Sequence, residues 1–163
     1  MNLRPTDVEL AWLAGLMDGE ASIGIGGNGN VCNSCSVQLN MTHQPSILRA
    51  REVIDAIGCR SCTYTYTEKK SHHRDAHLLT IRRRWDIRLL ATEMIRFSVT
   101  KHRQWELILE FVSSRLEGTV LDEQKRVIRG GSPGKWWKPF SEREYQLANL
   151  IREENRRGKK AAV

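Results

Sequence analysis

The sequence predicts an α+β fold in which helices cover one face of a mainly antiparallel sheet. Several segments repeat apolar residues at helical spacing, and two others alternate polar and apolar residues on either side of turn-rich stretches. The order along the chain is helix, hairpin, helix, hairpin, helices, which is typical of this layered class. We therefore expect the second face of the sheet to remain uncovered.

The first helix is predicted to begin at Thr6. In the stretch "TDVE", Thr6 and Glu9 form a capping box, in which each side chain accepts from a free backbone N–H of the other residue. The helix then continues through "VELAWLAGLM", which is too apolar for a surface helix of a small domain. We expect it to bury more than one of its sides.

A hairpin is predicted next, in "ASIGIGGNGNVCNSCSVQLNMTHQ". Glycine and asparagine crowd its middle, and alternation follows. Strand side chains point alternately to the two faces, so Val37, Leu39 and Met41 share one face. The opposite face carries polar side chains: Ser36, Gln38, Asn40 and Thr42. One face can pack on helices while the other meets a polar partner.

The rest of the chain continues the pattern. "PSILRAREVIDAIG" predicts a helix that stops at Gly58, and "SCTYTYTEKK" with "AHLLTIRR" predicts a second hairpin. Helices are predicted in "DIRLLATEMIRF" and "KHRQWELILEFVSSRL", with a break near Ser98. A last helix opens with a second capping box, Ser141 and Glu144. We expect a single domain over residues 1–163, with 117–163 as a C-terminal loop and helical extension.

The charge balance favours a polyanionic partner. Lysine and arginine number 26 against 19 acidic residues, for a net charge of +7, and nucleic acid is favoured over a membrane surface. A generic basic protein is the alternative. The sequence shows neither an apolar stretch of about 20 residues nor a signal-peptide layout, so we expect an intracellular, soluble protein of a bacterial or archaeal cytoplasm or an organelle.

Two CxxC pairs raise the question of zinc. Cys32 and Cys35 stand in "CNSC", and Cys59 and Cys62 stand in "CRSC", a spacing that suits tetrahedral zinc. The alternative is four ordinary reduced cysteines, since nothing in the sequence makes the first hairpin meet the exit of the following helix. We expect reduced thiols and keep a structural zinc as the second hypothesis.

The stretch "LAGLMDGEA", from Leu13 to Ala21, resembles the LAGLIDADG signature of homing endonucleases. Met17 stands for the usual isoleucine, Glu20 for the second aspartate, and Ala21 for the usual glycine. The order of elements up to Arg115 is also similar to that family. The resemblance implies the LAGLIDADG homing-endonuclease fold, with helices packed on one face of a saddle-shaped antiparallel sheet.

The resemblance also implies a catalytic centre shared by two chains. A single motif helix needs a second copy, and the small residues Ala14 and Gly15 would let that copy approach, so a homodimer is expected. Glu20 and the carbonyl of Gly19 would hold Mg²⁺ beside the scissile phosphate. Asp18 is expected to order the turn or to cap backbone groups. The alternative for Glu20 is an ordinary surface carboxylate at a helix end.

Two further residues resemble catalytic positions of the family. Gln44, in "MTHQPS", is expected at the end of the second strand, where it would position the attacking water. Lys101, in "VTKHRQWEL", precedes a late helix and would offset charge on the phosphate. Taken alone, Gln44 is more typical of a polar residue at a strand end, and Lys101 is more typical of a solvated lysine.

Double-stranded DNA is expected to lie across the uncovered face of the sheet. The candidate contacts on the first hairpin are Asn28, Asn30, Asn33, Ser36, Gln38 and Asn40. Those on the second are Thr63, Thr65, Thr67, Lys69, Arg74, Thr80 and Arg82. The function implied is an intron-encoded, sequence-specific, Mg²⁺-dependent DNA endonuclease. The alternative is a LAGLIDADG protein that does not cleave DNA and acts as an RNA maturase or a DNA-binding regulator.

Overall fold

A computed structural model of the chain describes residues 4–26, 34–66, 75–117, 123 and 140–160. Its elements follow the predicted order. They are α1 (Asp7–Glu20), β1 (Ala21–Gly26), β2 (Ser34–Met41), α2 (Gln44–Ile57), β3 (Cys62–Tyr66), β4 (Ala76–Ile81), α3 (Arg84–Met94), α4 (His102–Leu116) and α5 (Glu142–Lys160).

The four strands form one antiparallel sheet in the order β1-β2-β4-β3. Directly paired residues share a face, so the pairing of Val37 with Ile23 and Ile81 places an apolar row under the helices. These three side chains belong to the buried core. Among the described residues, the opposite face carries no helix from this chain. The predicted α+β class with one-sided helix packing is confirmed.

Helix α1 begins as predicted. Thr6 and Glu9 form the reciprocal capping box, with the Thr6 amide 2.9 Å from a Glu9 carboxylate oxygen. The inner face of the helix is fully buried at Leu10, Leu13 and Met17. Its outer face is exposed. The prediction that α1 buries more than one side is therefore wrong within a single chain.

Helix α2 ends as its sequence dictates. Gly58 follows it with φ at 93°, a left-handed conformation that side chains disfavour, and its amide donates to the carbonyl of Asp55 at 3.0 Å. The predicted break near Ser98 is also present, because α3 and α4 are separated there and pack against each other as an antiparallel pair. Trp105 and Phe111 of α4 lie fully inside the core.

Helix α5 docks on α4 and on the edge strand β1. The predicted capping box is present, with the Ser141 amide 2.8 Å from a Glu144 carboxylate oxygen. The same carboxylate forms a buried ion pair with Arg115 at 3.3 Å. Further along, Asn155 donates its amide to the carbonyl of Ile23 at 2.9 Å, which satisfies an acceptor on the outer edge of β1.

Within the described ranges, no helix combines the length and the apolar character that crossing a bilayer requires.

Replacing Glu144 by glutamine is expected to lower the free energy of unfolding by about 3 kcal/mol at neutral pH, because Arg115 stays buried without its counter-charge. Burial alone would raise the pKa of Glu144, but hydrogen bonds from Ser141 and Ser114 and the charge of Arg115 lower it below its ordinary 4.5. The difference between the two proteins should therefore shrink as the pH falls below about 4.5. Urea denaturation across pH measures both effects.

The matched control is Glu142→Gln, which removes an exposed carboxylate from the same first turn. It should cost less than about 0.5 kcal/mol. Equal losses in the two variants would contradict the stabilising role of the buried pair.

Candidate functional site

The C-terminal end of α1 places Glu20 at the junction with β1. Glu20 is the last residue of the helix and is exposed, as is Gly19. No heavy atom lies within 4 Å of a Cβ built on Gly19, so there is open space beside the acid. A carboxylate and a backbone carbonyl are thus presented to solvent at one end of a buried helix.

Asp18 binds the segment that leads into α4. Its carboxylate accepts from the amides of Val99 at 2.6 Å, Thr100 at 3.0 Å and Lys101 at 3.2 Å, and from the Ser98 hydroxyl. These amides precede the first turn of α4, where a negative charge complements the helix dipole. The expectation that Asp18 caps backbone groups is confirmed.

Lys101 makes the reciprocal contact. Its Nζ donates to the carbonyl of Met17 at 3.0 Å and to that of Asp18, both at the end of α1. A cation at this position complements the negative end of the helix dipole. We call this pair of contacts the Asp18–Lys101 clasp. Asp18, on α1, caps the start of α4, and Lys101, which precedes α4, caps the end of α1.

The clasp shifts the pKa of both groups. Burial tends to raise the pKa of Asp18, but the hydrogen bonds from Ser98 and from the three amides outweigh it, and the pKa is lowered. Burial lowers the pKa of Lys101, and the charges of Asp18 and Glu20 oppose that shift. Lys101 is thus within electrostatic reach of Glu20, as the sequence-based assignment requires.

Gln44 does not end a strand. Strand β2 stops at Met41, and Gln44 is the first residue of α2, directly before Pro45. Its side chain is exposed. The expectation that Gln44 ends a strand is therefore wrong. A proline in the first turn favours the start of a helix, and α2 begins at Gln44.

Part of the predicted DNA-contacting surface lies on the open face of the sheet. Gln38 is paired with Ser22 on one side and with Thr80 on the other, and Asn40 is exposed. Ser36 shares this face, opposite Gly24. These polar side chains of β2 form the centre of the open face.

The second hairpin departs from the prediction. Thr63 and Thr65 pair with Leu79 and His77, so they lie on the helix-bearing side, and Thr65 Oγ1 is 3.1 Å from His77 Nδ1. Thr80 does belong to the open face but is only 3% exposed. None of these three threonines is accessible to a ligand that binds the open face. Arg82, directly after β4, is exposed.

Two tyrosines were missed by the sequence analysis. Tyr64 and Tyr66 pair with Leu78 and Ala76 on the open face and are 50% and 54% exposed. Strict alternation in "CTYTY" separates the tyrosines from the threonines, but only the pairing with β4 shows which set faces outward.

Other predicted contacts lie outside the described residues. They are Asn28, Asn30, Asn33, Thr67, Lys69 and Arg74, together with Cys32.

The described cysteines do not converge on a zinc site. Cys35 pairs with Ile25 on the core face, whereas Cys62 is exposed on the open face. The Cys59 thiol donates to the carbonyl of Asp86 at 3.2 Å. Burial raises the pKa of Cys35 to about 11 and that of Cys59 to about 12, which disfavours the thiolate that zinc requires. The four-cysteine zinc hypothesis fails because the sheet separates its ligands.

Among the described residues, no group of three histidine, cysteine or acidic side chains could hold a metal within one chain. Glu20 supplies only one carboxylate to a metal site in each protomer. Any metal centre built on it needs oxygen ligands from elsewhere, such as a second chain or a phosphate.

Solved structures share this arrangement of helices and sheet. The archaeal intron-encoded homing endonuclease I-Vdi141I, solved in complex with DNA, aligns with a TM-score of 0.60 at 12% identity, over 91% of this chain and 84% of its own. The chain has the LAGLIDADG homing endonuclease fold. In this fold, the stretch "LAGLMDGEA" ends α1 at Glu20, where the resemblance places the catalytic acid.

Two other homing endonucleases align over less of the chain. I-CvuI, solved with its target, matches at 17% identity and a TM-score of 0.49, over 66% of this chain and 67% of its own. The group I intron-encoded I-CeuI, solved with DNA, matches at 16% identity and a TM-score of 0.49, over 66% of this chain and 55% of its own. No protein-family model and no curated protein matches the sequence.

Replacing Asp18 by asparagine is expected to destabilise the protein by about 2 kcal/mol, because the amide cannot accept from all the donors at the start of α4. The lowered pKa of Asp18 means that its carboxylate stabilises the fold above its ordinary value of 3.8. The difference from the wild type should thus diminish as the pH falls below about 3.8. Thermal or urea denaturation at several pH values measures it.

Asp7→Asn is the control, since Asp7 is an exposed acid on the same helix with an ion pair to Arg96 at 3.2 Å. It should change stability by less than about 1 kcal/mol. If Asp7→Asn lowers the free energy of unfolding as much as Asp18→Asn does, the clasp stabilises the fold no more than an exposed ion pair does.

Proposed function

We propose that this protein is a sequence-specific DNA endonuclease of the homing type, acting as a Mg²⁺-dependent homodimer. The observation that carries the proposal is the placement of Glu20. The acid is exposed at the end of the motif helix, within electrostatic reach of Lys101, where the helix enters a sheet with an open polar face. An acid, a cation and a surface for a duplex thus meet at one place.

The residues at the end of α1 suit a hard divalent cation. The Glu20 carboxylate and the exposed backbone at Gly19 offer oxygen donors with free space around them. Oxygen ligands and retained waters are what Mg²⁺ prefers. When bound, the ion would supply a Lewis acid and an activated water for phosphodiester hydrolysis.

The protein groups have separate roles in this proposal. Glu20 would hold the cation next to the phosphate. Lys101 has two hydrogens on backbone carbonyls, which fixes its ammonium near Glu20 and lets its charge stabilise the anionic phosphate. Gln44, at the exposed start of α2, is proposed to orient water. Its placement at a helix start rather than a strand end leaves this the least supported role.

The outer face of α1 supports the homodimer. Val8 is 79% and Trp12 is 40% exposed, and they continue into a row of small residues at helical spacing: Ala11, Gly15 and Gly19. No heavy atom lies within 4 Å of a Cβ built on Gly15, so a second backbone could approach closely. Ala14 is fully buried in the protomer, so it is not the contact residue that the sequence analysis expected.

A two-fold dimer along this row would bring the two Glu20 residues together. An isologous interface places the same helix end from each chain near the symmetry axis. Two carboxylates would then face one duplex, one for each strand. This accounts for a protomer whose described residues contain only a fragment of a metal site.

The open face of the sheet supports duplex binding. Hydrogen-bonding side chains on β2 and exposed tyrosines on β3 face outward, and the chain carries a net charge of +7. Side chains on such a surface can read base edges while basic residues contact phosphates. The DNA complex of I-Vdi141I is consistent with this use of the fold.

Glu20→Gln is expected to reduce DNA cleavage by about 10³-fold while leaving DNA affinity nearly unchanged, because it removes a ligand of the catalytic cation and leaves the duplex-binding face of the sheet intact. The substrate is the duplex obtained by joining the two DNA segments that flank the gene. Strand cleavage is measured with Mg²⁺, and binding is measured with Ca²⁺.

Glu52→Gln is the matched control, an exposed carboxylate on α2 that should leave cleavage unaffected. If the wild type binds this duplex without cutting it in Mg²⁺, the endonuclease assignment is wrong and a DNA-binding regulator is favoured. Preferential binding of the intron RNA would favour the maturase.

Gly15→Arg is expected to convert the protein from a dimer to a folded monomer, because the side chain has room in one protomer but not between two closely packed helices. Sedimentation equilibrium should show the mass halved, and cleavage should fall with it. Thr92→Arg adds the same charge to an exposed position of α3 and should leave the dimer intact. Dimers that persist in Gly15→Arg would refute the α1 interface.

A further inference from the structure

Helix α5 carries an asymmetric distribution of charge. Its first turn holds Glu142 and Glu144, whereas residues 152–160 contain five lysines and arginines against two glutamates. The hydrophobic side chains Leu147, Ala148 and Ile151 bury the middle of the helix against the core. The middle of the helix is therefore held against the core, which gives the next turn, with Arg152 and Arg156, a defined place.

That place is the outer edge of the sheet. Asn155 donates to the carbonyl of Ile23 at 2.9 Å, and Ile23 belongs to β1, the edge strand that pairs only with β2. Residues three and four positions apart share one side of a helix, so Arg152 lies on the same side of α5 as Asn155, and Arg156 on the same side as Arg152. The basic turns are thus aligned with the edge of the sheet.

The helix dipole alone does not account for these cations. Its stabilising effect on positive charge is confined to the last turn of a helix. Arg152 lies two turns before the end of α5 at Lys160, and both Arg152 and Arg156 are exposed. Arg152 donates to the Asn149 side-chain oxygen at 3.1 Å.

We infer that Arg152 and Arg156 of α5 form a phosphate-binding arm, which extends the DNA-contacting surface beyond the β1 edge of the sheet. The inference rests on the proposed function, because the polyanion it names is the duplex that lies across the open face. These two arginines would contact backbone phosphates and carry no base specificity. The arm would increase affinity for every sequence and leave target choice to the sheet.

The test is the salt dependence of DNA binding by the full chain. Each phosphate contact contributes about 0.9 to the slope of log K against log salt concentration. The variant Arg152→Gln/Arg156→Gln removes four arginines from the proposed dimer, so the slope should become shallower by about 3.6, with weaker binding to the flanking-segment duplex and to an unrelated duplex alike. Titrations between about 50 and 200 mM salt in Ca²⁺ give both slopes.

Arg143→Gln is the matched control, a surface arginine of the same helix that is paired with Glu110 and lies away from the sheet edge. It should leave the slope unchanged. Because Arg152 and Arg156 are exposed, thermal denaturation of the double variant should match the wild type.

The possible results test the phosphate-binding arm and the proposed endonuclease function separately. Equal slopes for wild type and double variant, with cleavage intact, would overturn the arm and leave the proposed function standing. A slope change confined to single-stranded RNA would also overturn it. Failure of the wild type to bind any duplex at the lowest salt would instead refute the proposed function, and the arm with it.

Discussion

The Asp18–Lys101 clasp is the constraint on which the site depends. An isolated helix end leaves several backbone groups without partners, and here two such ends meet: the last carbonyls of α1 and the first amides before α4. One carboxylate and one ammonium satisfy both ends and match both dipoles. Glu20 follows the clasp by two residues, so the position of the exposed acid is set by hydrogen bonds that the acid itself does not make.

In the proposed homodimer, helix α1 would serve two interfaces, which accounts for the apolar character of its sequence. Leu13 and Met17 build the core of the protomer, while Val8, Trp12 and Gly15 remain outside. An apolar helix normally indicates complete burial in one chain. A helix at a two-fold interface has the same composition, since one side packs in its own chain and the opposite side packs on the second copy. The outer row therefore connects the fold of one chain to the assembly that the proposed chemistry requires.

Local signals predicted most of the fold, whereas relationships between distant segments were not predictable. The capping boxes at Thr6 and Ser141 and the left-handed Gly58 are encoded within four residues of each position. The outward direction of Tyr64 depends on pairing with β4, and a one-residue shift would reverse it. The separation of Cys35 from Cys62 likewise follows from which side of the sheet each faces, and CxxC spacing contains no information about that.

The two edges of the sheet have different chemistry, and this bears on how the open face would meet a duplex. At β1, Asn155 closes the edge and arginines of α5 flank it, so charge dominates there. At β3, the opposite edge, Tyr64 and Tyr66 present aromatic surface with hydroxyl groups. Charge attracts any duplex over a range near 10 Å, while aromatic and amide groups act only on contact. A surface built in this way can separate affinity from selectivity, with the first at one edge and the second across the strands.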